Sequence, residues 1–84
     1  PEETSFTARV LSNPSPNYFD IQLRGEAENN IQITVYDNLG RVVETKSSLA
    51  SNQTVRIGNS YNRGIYVAVI MKGTEKQVLR LVKN

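Results

Sequence analysis

The feature that most constrains the fold is a repeated alternation of apolar and polar residues in short runs. Phe19, Ile21 and Leu23 alternate with polar residues in one run, and Ile31 and Ile33 do so in the next. Successive side chains of a β-strand point to opposite faces, whereas an amphipathic helix needs apolar residues three and four positions apart. No long stretch of the chain keeps that helical spacing. The chain is therefore predicted to be all-β.

Turn-forming residues separate seven such runs, which predict strands at 6–11, 19–24, 31–36, 41–47, 54–57, 65–71 and 76–82. Seven short strands with turn signals roughly every 8–12 residues are typical of an immunoglobulin-like β-sandwich. The run 65–71 is apolar on both faces and is predicted to be a central strand. In the last run, Leu79 and Leu81 are expected to point into the core.

Two turns have clear local causes. Pro14 and Pro16 lack a backbone N–H and restrict the residues before them, so strand pairing is expected to stop between the first and second strands. Asp37 is suited to accept a backbone hydrogen bond at the start of the next turn, and Gly40 is suited to a positive φ at its end. Arg41 then begins the fourth strand.

Two further glycines mark the end of the chain. Gly73 is expected to turn the final hairpin. Tyr66 follows Gly64 by two residues at the start of a strand, which is the placement of a tyrosine corner, where the tyrosine hydroxyl bonds back to the backbone.

Composition excludes several classes of protein. The chain of 84 residues suits one domain, has no cysteine and carries 10 basic against 8 acidic residues, a net charge of +2. That charge is far below the clustered positive surface expected of a nucleic-acid-binding protein, and no apolar run has the roughly 20 residues of a transmembrane helix. No membrane anchor or signal peptide is expected within it. The excess of positive charge lies in the final hairpin, where it either solubilises a strand face or contacts an anionic partner.

Catalytic chemistry is not expected. The chain lacks histidine and cysteine, and its acidic residues are scattered over predicted turns and outward faces. The turn that begins at Asp37 lacks the alternating acidic ligands of a calcium loop. We therefore predict a protein that is not an enzyme and that has no catalytic residues, no metal site and no cofactor.

The motifs resemble, in their order, the C-terminal sorting domain of proteins exported by the type IX secretion system of Bacteroidota. That family has an Asn-Pro turn, a Tyr-Asp-x-x-Gly-Arg turn, a Gly-x-Tyr-x-Val-x-Val strand, a glycine turn and a closing strand with Leu-Val-Lys. The corresponding residues here are Asn13, Pro14, Tyr36, Asp37, Gly40, Arg41, Gly64, Tyr66, Val67, Val69, Gly73, Leu81, Val82 and Lys83. The resemblance covers nearly the whole chain from about Phe6.

The resemblance implies that residues 6–84 are a sorting domain and that residues 1–5 are a linker or processing region. It implies that the domain directs a larger cargo through the type IX translocon, with an outer-membrane shuttle protein and a cell-surface sortase as further partners. The sortase would remove the domain and join the cargo to an anionic lipopolysaccharide or release it. The protein would be in the periplasm during transit and then at the cell surface or secreted.

The basic last strand suggests which residues are recognised. We expect the receptor-facing end to consist of Lys76, Arg80, Leu81, Val82 and Lys83, with the strand able to pair edge to edge with a receptor sheet. The residues expected to support the fold are Asn13, Pro14, Asp37, Gly40, Arg41, Gly64, Tyr66 and Gly73.

Two other functions remain open at the level of sequence. A carbohydrate-binding or adhesive β-sandwich would need exposed aromatic side chains, for which Tyr18, Tyr36 and Tyr61 are available. The second is a structural spacer between other domains of a surface enzyme.

Overall fold

A computed structural model describes residues 6–25 and 30–84 as an all-β protein. Its strands are β1 (Phe6–Leu11), β2 (Phe19–Gly25), β3 (Ile31–Tyr36), β4 (Val42–Leu49), β5 (Gln53–Ile57), β6 (Gly64–Lys72) and β7 (Glu75–Lys83). All seven predicted strands are present, with bounds that differ from the prediction by two residues at most. The predicted linker at 1–5 lies outside the described residues.

The strands form two antiparallel sheets. One has the order β1-β2-β5, and the other has the order β4-β3-β6-β7. Strand β6 lies inside its sheet, which confirms the prediction from its apolar faces, and it pairs with β7 over nine residue pairs from Gly64–Lys83 to Lys72–Glu75. Strand β7 is an edge strand.

One hydrophobic core lies between the sheets and takes residues from six strands. Its members are Phe6, Ala8, Phe19, Ile21, Leu23, Ile31, Ile33, Val35, Val55, Ile57, Tyr66, Ala68, Ile70 and Leu81. Leu81 is fully buried and Leu79 packs against the core from β7, so the expected inward direction of both is confirmed. Full burial of one such side chain stabilises the folded state by about 1.5–3 kcal/mol. The last strand is thus part of the core and not an appendage to it.

Within residues 6–25 and 30–84, no helix is long and apolar enough to cross a membrane.

Candidate functional site

The five residues predicted for recognition lie on both faces of β7. Lys76 and Arg80 are exposed on the outer face, and Val82 is half-buried on the same face. Leu81 and Lys83 point the opposite way and are buried, with 0% and 6% of their surface exposed. Only the first three side chains are therefore accessible to a partner in the folded domain.

Lys83 connects β7 to the other sheet. Its ammonium group donates a hydrogen bond to the backbone carbonyl of Gly58, the residue that follows β5. The same nitrogen lies 5.8 Å from the centre of the Tyr61 ring, within the range of a cation–π interaction. Burial of a charged group is costly unless it is hydrogen-bonded, and here the carbonyl provides that partner. Lys83 holds the end of β7 against the β5–β6 loop.

The outer edge of β7 is held by the segment 13–15. The side chain of Asn13 donates to the carbonyl of Arg80 at 2.7 Å and accepts from the amide of Val82 at 2.9 Å. Ser15 donates its amide to the carbonyl of Val82, and its own carbonyl accepts from the amide of Asn84, both at 3.0 Å. Four hydrogen bonds thus join this segment to residues 80–84.

The expectation that pairing stops at the two prolines is therefore wrong in part. Ser15 lies between Pro14 and Pro16 and forms an isolated parallel bridge with Lys83. Each proline removes only its own N–H, so the amide of Ser15 stays available and is used. Edge pairing of residues 80–84 with a receptor strand would require displacement of this segment.

The turn that begins at Asp37 has the predicted construction. The Asp37 carboxylate accepts from the backbone amides of Leu39 and Arg41, each at 2.9 Å, and its second oxygen pairs with the Arg41 guanidinium at 2.8 Å. Gly40 has a φ of +81° and donates its amide to the carbonyl of Asp37. The backbone hydrogen bond from Arg41 is the main cause that lowers the pKa of Asp37. The ionised form of the carboxylate is therefore favoured in the turn between β3 and β4.

The tyrosine corner is also confirmed. The hydroxyl of Tyr66 donates to the carbonyl of Asn62 at 2.7 Å, and the Tyr66 ring stacks on Tyr61 with a centroid distance of 4.6 Å. Gly64 lies at the start of β6 with a φ of +152°, and Gly73 turns the final hairpin with a φ of +62°. Both predicted glycine positions thus adopt backbone angles that favour glycine.

An apolar surface covers the outer face of β6 and β7. We call it the apolar ladder, and its members are Ile65, Val67, Val69, Met71, Val78 and Val82. Cross-strand pairs place Ile65 opposite Val82 and Val69 opposite Val78. Ile65 is 41% exposed and Val78 is 57% exposed, while the other four are partly buried.

The ladder is flanked by positive charge on β7. Arg80 lies opposite Val67, and Lys76 lies opposite Met71, so the two cations stand on either side of Val78 along the same face. On the far side of β6, the ladder meets Gln32 and Thr34 of β3. The outer face therefore combines an apolar centre with one basic margin.

A groove of about 720 Å³ lies on the opposite side of the domain, beside the edge strand β4. Its lining includes Glu44, Lys46 and Tyr61, and the Tyr61 hydroxyl donates to the Glu44 carboxylate at 2.7 Å. Burial, followed by this hydrogen bond, raises the pKa of Tyr61. Within the described ranges, no cluster of acidic side chains has the arrangement of a metal site.

Two of the three tyrosines suggested for sugar binding, Tyr18 and Tyr61, have a ring face covered by another side chain. All three are partly buried. The guanidinium of Arg56 covers the ring of Tyr18 at 3.7 Å, and Arg56 is itself paired with Asp20. Tyr61 is stacked on Tyr66.

Sequence reasoning missed three parts of this site. Ser15 and Gly58 take part through backbone atoms, which carry no signal in the side-chain pattern. The exposed Val78 did have a signal, because it alternates with Lys76 and Arg80 and must share their face once Leu79 and Leu81 point inward.

The fold and the site define a small all-β domain in which separate motifs hold one edge strand and leave its outer face open. Residues 10–84 match the family described as the secretion system C-terminal sorting domain. The chain belongs to this family, whose members are sorting signals of type IX secretion and not catalytic domains. A search of curated proteins gave no match. Membership implies export to the cell surface or secretion, by interaction with the type IX system.

Proposed function

We propose that this domain directs a larger cargo protein across the outer membrane through the type IX translocon. The folded domain is delivered by an outer-membrane shuttle protein, and the cargo passes through the periplasm on its way. A cell-surface sortase then removes the domain, and the cargo is attached to an anionic lipopolysaccharide or released.

The observation that carries this proposal is the family match over residues 10–84, together with the way those motifs meet on β7. The Asn-Pro turn bonds to the backbone of residues 80–84, and Lys83 bonds to the β5–β6 loop. A signal that is read on a folded protein needs a rigid surface, because ordering on binding costs affinity. These contacts order β7 before any partner arrives.

The predicted recognition residues then have two kinds of role. Lys76, Arg80 and Val82 contact the receptor directly, since their side chains lie on the outer face. Leu81 and Lys83 act from the inside by holding the strand in place. Asn13 supports the same strand from its edge.

We also propose the finer assignments of fold and boundary. The strand order β1-β2-β5 and β4-β3-β6-β7 supports an immunoglobulin-like β-sandwich. Residues 6–84 are the sorting domain, and residues 1–5 are the linker in which or before which processing occurs.

The test is a fusion of residues 1–84 to the C-terminus of a periplasm-targeted fluorescent protein in a Bacteroidota host. Fluorescence outside the cell is compared between the parent strain, a translocon-null strain and a sortase-null strain. We expect translocon-dependent export, with the secreted protein shortened by the domain only where the sortase is present.

The same fusion lacking residues 81–84 tests whether export needs the end of β7 or only a folded domain at the C-terminus. Circular dichroism of the truncated domain shows whether it still folds. Retention of the wild-type fusion in the periplasm of the parent strain as well as of the translocon-null strain would refute the proposal. Wild-type export by a folded truncated fusion would remove the last strand from the recognition site.

The contacts of Tyr18 and Tyr61 argue against the carbohydrate-binding alternative. Sugars stack on open aromatic faces, and the rings of Tyr18 and Tyr61 are covered by Arg56 and Tyr66.

A further inference from the structure

We propose that the apolar ladder is a docking surface for a partner protein that presents apolar side chains flanked by carboxylates. The carboxylates pair with Lys76 and Arg80, and the apolar side chains cover Val78 and its neighbours on β6. This inference rests on the proposed function, because the partner belongs to the export machinery.

The first argument is the composition of the outer face. An antiparallel sheet with one face in water normally alternates apolar inward and polar outward residues. In β6 the inward positions are Tyr66, Ala68 and Ile70, yet the outward positions from Ile65 to Met71 are also apolar. Contiguous exposed apolar surface of this kind marks interaction sites.

The second argument is charge. Lys76 and Arg80 are exposed, and within the described part of the chain neither forms an ion pair. Both lie on the same face as Val78, so a partner that covers Val78 also meets both cations. A carboxylate that pairs with Arg80 gains two parallel hydrogen bonds as well as charge.

A second copy of the chain fits this surface poorly. A two-fold arrangement centred on Val78, the most exposed residue of the ladder, would bring Lys76 and Arg80 of one copy close to the same basic residues of the other, and like charges across an interface are destabilising. Extension of the sheet is hindered at the end of β7 because Asn13 and Ser15 already bond to it. The partner must approach the face of the sheet.

An anionic membrane is also a poor fit. Recognition of acidic lipid surfaces generally uses clusters of about four to eight basic residues. The margin of the ladder supplies Lys76 and Arg80, with Val78 between them. Two cations set on either side of an apolar residue match discrete side chains of a protein better than a diffuse lipid charge.

The test measures export of the fluorescent fusion with substitutions on this face. Arg80→Glu and Val78→Ser are expected to reduce exported fluorescence about tenfold, which corresponds to about 1.4 kcal/mol of binding free energy. Arg80→Lys keeps the charge but not the two parallel hydrogen bonds, so its export is expected to lie between that of the wild type and that of Arg80→Glu. Circular dichroism and thermal melting of each purified domain establish that the variants fold.

Matched controls are available elsewhere on the domain. Leu11→Ser changes an exposed apolar residue on the outer side of β1 in the other sheet, with 36% of its surface exposed against 57% for Val78. Arg9→Glu makes the same charge reversal on the outer side of the other sheet. Both control fusions are expected to be exported like the wild type.

A photo-reactive benzoylphenylalanine at position 78, with position 11 on the other sheet as the reference, reports which molecule covers the apolar ladder. We expect a protein adduct at position 78 that is lost when Arg80→Glu is added. Vesicles of phosphatidylglycerol provide the lipid probe.

The outcomes separate the two proposals. If the wild-type fusion fails to show translocon-dependent export, the proposed function fails and this inference fails with it. If the wild type is exported and folded Arg80→Glu and Val78→Ser variants are exported equally well, only the docking surface is refuted. Binding to the vesicles that depends on Arg80, without a protein adduct at position 78, would overturn the choice of a protein partner.

Discussion

Asn13 is expected to stabilise the domain by holding the last strand, and Asn13→Ala tests this directly. The Asn13 side chain makes two hydrogen bonds to the backbone of β7, one to the carbonyl of Arg80 at 2.7 Å and one from the amide of Val82 at 2.9 Å. Alanine keeps the chain length but can make neither bond. The two backbone groups of β7 would then turn to water.

The size of the effect follows from these two contacts. A hydrogen bond within a protein contributes about 0.5–1.5 kcal/mol net, so the loss of both lowers the unfolding free energy by about 1–3 kcal/mol. Asn13 is exposed, and water can replace its bonds in part, which places the expectation near the lower end of that range. For a domain of this size, each kcal/mol lowers the melting temperature by about 4–8 °C.

The assay is equilibrium unfolding in urea, followed by circular dichroism, together with a thermal melt. Asn59→Ala is the control, because Asn59 is exposed on the β5–β6 loop and such surface changes usually stay within about 0.5 kcal/mol. Asn13→Asp is a second, isosteric variant. Its carboxylate still accepts from Val82 but places an oxygen against the carbonyl of Arg80, so it is expected to be destabilised as well.

Equal stability of Asn13→Ala and Asn59→Ala would refute the reasoning. It would mean that the backbone bonds of Ser15 and the packing of Leu81 hold β7 without help from the Asn13 side chain.

Three further predictions concern other contacts. Tyr66→Phe removes the hydroxyl bond to the carbonyl of Asn62 and is expected to lower the unfolding free energy by about 1 kcal/mol in urea; an unchanged midpoint would contradict a role for the corner. Lys83→Met keeps an apolar stem in the buried position and loses the ammonium contacts with Gly58 and Tyr61, so thermal melting should show it to be more stable than Lys83→Ala, by about 1 kcal/mol or more. If the two melt alike, the ammonium group accounts for the whole effect. The folded-state pKa of Asp37 is lowered from 3.8, so its contribution to stability is present above pH 3.8 and is lost as the pH falls through the lower folded-state pKa. Asp37→Asn should therefore weaken the acid dependence of urea unfolding between pH 5 and 2, and an unchanged dependence would show that the carboxylate contributes nothing to it.

The sequence by itself determined the strands and most of the turns. Alternation of apolar residues located all seven strands within two residues, because the direction of a side chain in a strand depends only on its position along that strand. The turn at Asp37 and the corner at Tyr66 were also predictable. Their hydrogen bonds join residues no more than four positions apart.

The tertiary structure alone decided what holds the last strand. Asn13 meets Arg80 and Val82 across 67 and 69 positions of the chain, and Lys83 meets Gly58 across 25. Such contacts depend on which strands become neighbours when the two sheets pack, and several of them use backbone atoms that every residue has. The local pattern therefore showed that the chain ends in a strand. The packing of the sheets decided that the inner residues of this strand are buried and that Asn13 and Ser15 occupy its edge. It also decided that the outer face of the strand is open to a partner.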